Sequence, residues 1–457
     1  MTVKRLDTKG KKVLVVGLGI SGYWASRWLA THGAEVTVTD SRSREELNRT
    51  FYEELAGKSV TFELGGHREK SFREADMIIL SPGVPHTMPL LQEARVKGIP
   101  IMGELELASR IISTPMIAVT GTNGKSSVTA CLGSLLQMAG LPVYVGGNIG
   151  TPLMAYASEE MNAAYVVVEV SSFQLDTVET FSPYIAIILN ISPDHLDRYQ
   201  DFEAYARAKK KIFARQGPGQ YLIVNNEDEI LAGLSPENGV SVLRYGLEQR
   251  EGQATFVADG AIQAPGHSGK MEYYPTSSFG MPGDHNVLNL QAVILVGHIL
   301  NIAPGVIKRT LNEFKGLPHR LERVGEKDGV VFYNDSKATN VDAAAGAIES
   351  LSCPIVLIAG GKHKGLRFEK LAAVSAGRVK GAVLIGEAAE ELGKAFEGIV
   401  PYQPADGLEE AVHLAFSLAD RGDAVLLSPA CSSFDQFNDY KHRGDVFRKA
   451  AEQIIHE

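Results

Sequence analysis

Along this chain, short β-branched apolar runs repeatedly end in a Gly-rich turn that passes straight into a helix-forming stretch. KVLVVGLGISGYWASRWLATHG does so near the N-terminus, and PMIAVTGTNGKSSVTACLGSLLQMAG restarts the pattern from residue 115. GVVFYNDSKATN, CPIVLIAGGKHKG, GAVLIGEAA and DAVLLSPACSSFDQF form a third series. Strands separated by helices have to pair in parallel, because each return crosses over the sheet. With 457 residues the chain exceeds one core. An α/β protein of three domains is therefore expected, divided at 1–104, 105–316 and 317–457. Residues 237–283 are rich in Gly, Pro, Ser and short strand-like pieces, which predicts a small antiparallel addition. Asp284 is placed to cap the helix that follows. The polar, turn-rich EFKGLPHRLERVGEKDG reads as a linker into the last domain.

Composition narrows the function. A formal net charge of −9 argues against nucleic acid as a partner, since phosphate backbones call for clustered Lys and Arg. Three Cys lie far apart without a CxxC spacing, as expected of reduced core thiols. No apolar run approaches the roughly 20 residues of a membrane span, and MTVKRLDTKGKK has no apolar signal core. The expected setting is the cytoplasm, with no membrane insertion.

Gly17, Gly19 and Gly22 form a G-x-G-x-x-G turn between strand and helix, and Asp40 ends the next strand. This Rossmann-like spacing lets backbone approach a diphosphate at a helix N-terminus while the acid bonds a ribose hydroxyl. Any diphosphate joined to a ribose satisfies it, so a nicotinamide-dependent dehydrogenase is one reading. LSPGV at 80–84 is a second loop able to wall the same site.

VTGTNGKSS at 119–127 is a P-loop-like turn, although Val119 stands where the strict pattern has its first Gly. Backbone N–H groups, the Lys125 ammonium and the Ser126 hydroxyl suit a triphosphate and Mg²⁺. Glu169 ends the apolar strand YVVVE, where a carboxylate is costly unless paired or coordinated. His195 follows another apolar strand in NISPDHLDRY. Carboxyl ends of these strands can meet at one crevice, making Glu169 and His195 candidate metal ligands beside the loop. A dehydrogenase leaves this second loop without work; an ATP-gated binding module remains a further option.

GTNGKSS, VEVSSFQLD, ISPDHLDRY, YARAKKKIF, GDHN, LPHRLE, NDSKATN, GGKHKG and SPACSSFDQFNDYKHRG, in this order, resemble the Mur ligase family. These are the ATP-dependent amide-bond ligases of peptidoglycan precursor synthesis. VVGLGISG and the SPACSSFDQF segment are most similar to the branch that adds D-glutamate to UDP-N-acetylmuramoyl-L-alanine. The Asn-Pro-Arg signature of the diamino-acid-adding branch is missing, and folylpolyglutamate synthases lack the first domain.

That resemblance implies a UDP-sugar rather than a nicotinamide in the first domain, a P-loop ATPase-like central sheet and a Rossmann-like C-terminal domain. Ile20, Ser21, Asp40, Ser41, Arg42, Gly83, Asn148, Ser171 and Gln174 then fall on the UDP-substrate site. ATP falls to Gly121, Thr122, Asn123, Gly124, Lys125, Ser126, Ser127, Asn286, Arg320, Asp335 and Lys337. Ser126, Glu169, His195 and a carbamylated Lys209 correspond to the ligands of two Mg²⁺ ions; Lys210 and Lys211 adjoin Lys209 and leave a one-residue ambiguity. Catalytic roles go to Lys125, His195, Lys209 and Lys337. Thr339, Lys364, Ser433 and Tyr440 match the D-glutamate site, with Ser432 competing with Ser433. A monomer acting on small molecules is implied.

Overall fold

The computed structural model describes residues 6–159, 161–194, 198–266, 270–279, 283–362 and 367–457. Two predicted site residues, His195 and Lys364, lie outside the described residues. Three sheets organise the chain.

The first sheet has the order Thr61–Leu64, Glu35–Asp40, Lys12–Val16, Met77–Leu80, Ile101–Gly103, with all neighbours parallel. Strand order reverses at Lys12–Val16, so the loops after Val16 and Leu80 flank a crevice at the carboxyl edge. Val13 and Val15 pack beneath the helix Ile20–Thr31, while Leu14 and Val16 face Phe72 and Leu91 on the other side. Burial on both faces is why this strand reads as an unbroken apolar run.

A second sheet runs Met271–Pro275, Ala261–Pro265, Gln253–Ala258, Ser241–Tyr245, Tyr221–Asn225, Ile185–Ile188, Met116–Thr120, Tyr165–Glu169, Val143–Gly147. The antiparallel addition predicted for 237–283 is confined to the pairings from Gln253–Ala258 onward. Ser241–Tyr245 instead pairs parallel with Tyr221–Asn225, because the short helix Glu229–Ala232 supplies a crossover between them. Helices Lys125–Met138 and Asp284–Ile299 share one core with the sheet's Ile117, Val119 and Ile187. Asp284 is the first helical residue rather than the cap; Gly283 precedes it at φ +93°. Its carboxylate still favours the helix N-terminus.

In the third sheet the order is Glu322–Lys327, Val330–Asn334, Ala424–Leu427, Ile355–Gly360, Val379–Ile385, Tyr402–Pro404. Only the first pair is antiparallel. The predicted linker therefore shortens: its second half is an edge strand, turned into the next by Asp328 and Gly329, both at positive φ. Asp-Gly is the residue pair such a tight hairpin turn favours. No helix among the described residues is long and apolar enough to cross a membrane.

Candidate active site

At the first crevice, chain geometry accounts for Gly22 before any ligand is invoked. A Cβ on Gly22 would lie 2.0 Å from the Gly17 carbonyl oxygen, so only glycine lets the helix start this close to the strand end. Ser81 Oγ donates to that same oxygen at 2.7 Å, tying the second loop to the first. Added Cβ atoms at Gly19 and Gly83 would meet nothing within 4 Å, which leaves space over the turn. Ile20 is 47% exposed beside it. Asp40 is buried, and its oxygens accept from Leu18 N at 2.7 Å, Arg42 N at 2.9 Å and the Arg42 guanidinium at 2.8 and 3.0 Å. Burial alone would raise its pKa; the Arg42 and Leu18 bonds outweigh that and hold it at about 2. Asp40 is thus an ionised clasp across the loop, with Ser41 and Arg42 exposed at its rim.

Three other residues predicted for the UDP substrate follow the ends of the middle-domain strands Val143–Gly147 and Tyr165–Glu169. Asn148 Nδ2 donates to Glu169 Oε1 at 2.7 Å. Ser171 and Gln174 form a reciprocal capping box on the helix Ser172–Leu175. Gln174 also lines a small cavity with Ser81, Pro82, His86, Glu104 and Phe173, where the first two domains meet.

The second loop is built around cations. Gly124 sits at φ +84°, and a Cβ there would come within 2.5 Å of Asn289 Oδ1. Lys125 Nζ donates to the Gly121 and Thr122 carbonyls at 2.9 and 2.7 Å. Lys209 Nζ donates to Gly121 O at 2.7 Å and lies 4.6 Å from the Tyr205 ring centre. Two amino groups thus share one carbonyl oxygen, and burial lowers the pKa of Lys125. Burial first, then the charge of Lys125, pushes the Lys209 amine well below its ordinary range. Among the three consecutive lysines, Lys209 is the one at the loop; Lys211 turns to the Asp176 carbonyl at 3.0 Å. Asn123 is braced by Asn190, whose amide accepts from Asn123 N at 2.8 Å and donates to Asn123 O at 3.2 Å.

Glu169 is 2% exposed, and its Oε2 is buried with no hydrogen-bond partner among the described residues. An orphaned carboxylate oxygen next to a phosphate-type loop is the donor a divalent cation requires. Among the described residues, no three His, Cys, Asp or Glu side chains cluster as a preformed metal site. The predicted set does not need one, since it draws on Ser126 and a modified lysine.

The C-terminal domain closes over this loop. Arg320 Nη2 donates to Ser126 Oγ at 3.0 Å. Lys337 Nζ stands 3.8 Å from the Tyr440 ring centre, and burial lowers its pKa to about 8. Asp335 accepts from Leu321 N at 3.1 Å and Ser428 Oγ at 2.8 Å; burial raises its pKa to about 7 despite these bonds. Asn286 is buried near the start of its helix, and Thr339 is half-buried beside Lys337. Ser433 is buried, and Ser432 Oγ donates to the Lys362 carbonyl at 3.3 Å.

Sequence reasoning passed over several residues that assemble the site. Arg443 is fully buried and donates to the carbonyls of Ser336, Cys431 and Ser432, and to Ser336 Oγ. It thereby fastens the loop carrying Asp335 and Lys337 to the loop carrying Ser433. Asn289 follows Asn286 at i+3 on one helix, a spacing that was visible. Asn190, Asp194 and Asn340 carried no local signal.

Known proteins match along the whole chain. Residues 11–103 match the Mur ligase MurD-like N-terminal domain, 119–297 the Mur ligase middle domain, and 319–431 the Mur ligase glutamate ligase domain. A UDP-N-acetylmuramoylalanine–D-glutamate ligase of Koribacter versatilis is 43% identical over 452 residues, covering 98% of this chain and 99% of that one. The Geobacter metallireducens protein of the same name is 42% identical over 449 residues, covering 98% and 99%. Similar solved structures include a pseudomurein peptide ligase type C from Methanothermus fervidus, with TM-score 0.63, 20% identity and coverage of 97% and 100%. Another is the MurF ligase of Thermotoga maritima in complex with ADP, with TM-score 0.61, 15% identity and coverage of 100% and 97%. At these identities the two structures bear on the fold alone.

Proposed function

This chain belongs to the Mur ligase family, and from that premise we propose how its three domains share one ligation. The enzyme is an ATP-dependent ligase that adds D-glutamate to UDP-N-acetylmuramoyl-L-alanine in peptidoglycan precursor synthesis. Domain 1–104 anchors the UDP portion over Gly17–Gly22, with Ile20, Ser21, Asp40, Ser41, Arg42 and Gly83 around it. Domain 105–316 grips ATP on residues 121–127, and domain 317–457 brings D-glutamate with Thr339, Lys364, Ser433 and Tyr440. The protein acts as a cytoplasmic monomer.

In the reaction, the alanyl carboxylate of the UDP substrate attacks the γ-phosphorus of ATP and ADP leaves. The resulting acyl phosphate is attacked at its carbonyl by the amine of D-glutamate, the amine loses a proton, and phosphate departs. The first step brings two anions together, so cations have to dominate the crevice. Lys125, Arg320 and Lys337 supply fixed positive charge from two domains. Ser126, Glu169, His195 and Lys209 as its carbamate would hold two Mg²⁺, which neutralise phosphate charge when bound. The orphaned Glu169 oxygen fits that role, and so does the depressed pKa of Lys209, because only a free amine adds CO₂. Anchoring the nucleotide far from the chemistry lets remote binding energy orient the carboxylate.

One observation carries this reading. Arg320 reaches Ser126 across the domain boundary, so the phosphate loop and the C-terminal loop face a single crevice. Phosphate release with ATP, Mg²⁺ and UDP-N-acetylmuramoyl-L-alanine, measured against D- and L-amino acids, tests it. Release with D-glutamate alone is expected; release with L-alanine or a diamino acid instead would overturn the substrate assignment.

A further inference from the structure

The segment that carries Lys337 and Thr339 ends on Asn340, which has no role in the reaction as outlined. Its Oδ1 accepts the backbone N–H of Ala343 at 2.8 Å and caps the helix Val341–Ser350. The same amide's Nδ2 lies 3.3 Å from Asn123 Oδ1 and 3.3 Å from Asp194 Oδ2. Both acceptors belong to the middle domain: Asn123 in the phosphate loop, Asp194 on the strand-end segment next to residue 195. Asn340 is 5% and Asp194 8% exposed, so water competes poorly for these bonds, and the one to a carboxylate is charge-assisted.

Capping alone does not select asparagine. Asp, Ser and Thr offer the same accepting oxygen. Only an amide can accept from its own helix and donate two N–H bonds on the other side. Asn123 is itself braced from behind by Asn190, so the far end of the contact is rigid. One side chain thus ties the first turn of a C-terminal-domain helix to the phosphate loop and to the neighbouring strand-end segment.

We infer that Asn340 is an interdomain latch, a positioning residue whose amide N–H groups seat the C-terminal domain on the 121–126 loop so that Arg320 and Lys337 reach the phosphates. It contacts no substrate and acts through those two cations. The inference deepens the proposed ligase reading and rests on it.

Asn340→Asp is the discriminating variant. It keeps the capping oxygen but turns a carboxylate oxygen toward Asp194 and Asn123. Asn340→Ser keeps the cap and removes the donor without adding charge, which covers the case in which the Asp variant folds poorly. For both, kcat/KM for ATP is expected to fall by about ten- to a hundredfold, the weight of a charge-assisted hydrogen bond. Calorimetric Kd for UDP-N-acetylmuramoyl-L-alanine in the absence of ATP should stay within about twofold, since that site is in another domain. With ADP and the UDP substrate present, solution scattering should give a larger radius of gyration for either variant than for wild type. The reversed pair, Asn340→Asp with Asp194→Asn, restores a donor opposite an acceptor and should bring the radius back toward wild type. Variants with wild-type kcat/KM and radius overturn the latch, as does a reversed pair no more compact than Asn340→Asp alone. Failure of the ligase reading looks different: wild type itself would release no phosphate with D-glutamate.

Discussion

Replacing Glu104 by Gln tests how the first two domains are joined. Glu104 opens the helix Glu104–Ser109 directly after the last strand of the first sheet and is 2% exposed. One carboxyl oxygen accepts the N–H of Met154, and the other is buried with no hydrogen-bond partner among the described residues. Burial raises its pKa from 4.5 to about 7, only partly offset by the Met154 bond. The folded state therefore holds this proton more tightly than the unfolded chain. For such a raised acid, stability is greatest below the unfolded pKa and declines as pH climbs from about 4.5 to about 7. At 1.36 kcal/mol per pH unit, the loss is about 3 kcal/mol once the group is ionised. Glutamine keeps the accepting oxygen and cannot ionise. The two tryptophans, Trp24 and Trp28, lie on the helix Ile20–Thr31 of the first domain, so their fluorescence follows its unfolding in urea. Between pH 4.5 and pH 8, stability of Glu104→Gln relative to wild type should rise by about 3 kcal/mol. Parallel pH profiles for the two proteins would refute the reasoning.

Two further outcomes follow from the crevice. Lys125→Ala should lower turnover by at least about a thousandfold while leaving the Kd for UDP-N-acetylmuramoyl-L-alanine nearly unchanged; calorimetry showing equal loss of both would contradict the division between domains. Lys337, lowered by burial to about 8, is a cation below that pH and neutral above it, so kcat/KM for ATP should fall as pH rises through about 8. Lys337→Arg keeps its charge and should move that alkaline limb upward; an unmoved limb would assign it to another group.

How far the sequence revealed this molecule depended on whether a feature was local. Strands such as Lys12–Val16 and Met116–Thr120 are buried on both faces, so their apolar runs and terminal glycines marked them plainly. Glu322–Lys327 was hidden because an edge strand with one solvated face can be built from polar residues; only Asp328–Gly329 hinted at it. Helix phase separates Lys209 from its neighbours: Tyr205, Ala206, Ala208 and Lys209 are buried in Phe202–Lys210, while Arg207 is exposed. Periodicity in YARAKKKIF is too short to fix that phase. Asp40 was recognisable as a strand-end acid, yet its closure by Leu18 and Arg42 depends on how the loop folds back. The contacts of Asn340 and Arg443 join segments more than a hundred residues apart, and nothing in a single sequence pairs such positions.

The most direct test is a crystal structure with a non-hydrolysable ATP analogue and UDP-N-acetylmuramoyl-L-alanine bound together. The triphosphate is expected on residues 121–126, within reach of Arg320 and Lys337, with the UDP diphosphate over Gly17–Gly22. A triphosphate seated on the first glycine turn, with 121–126 vacant, would contradict the account.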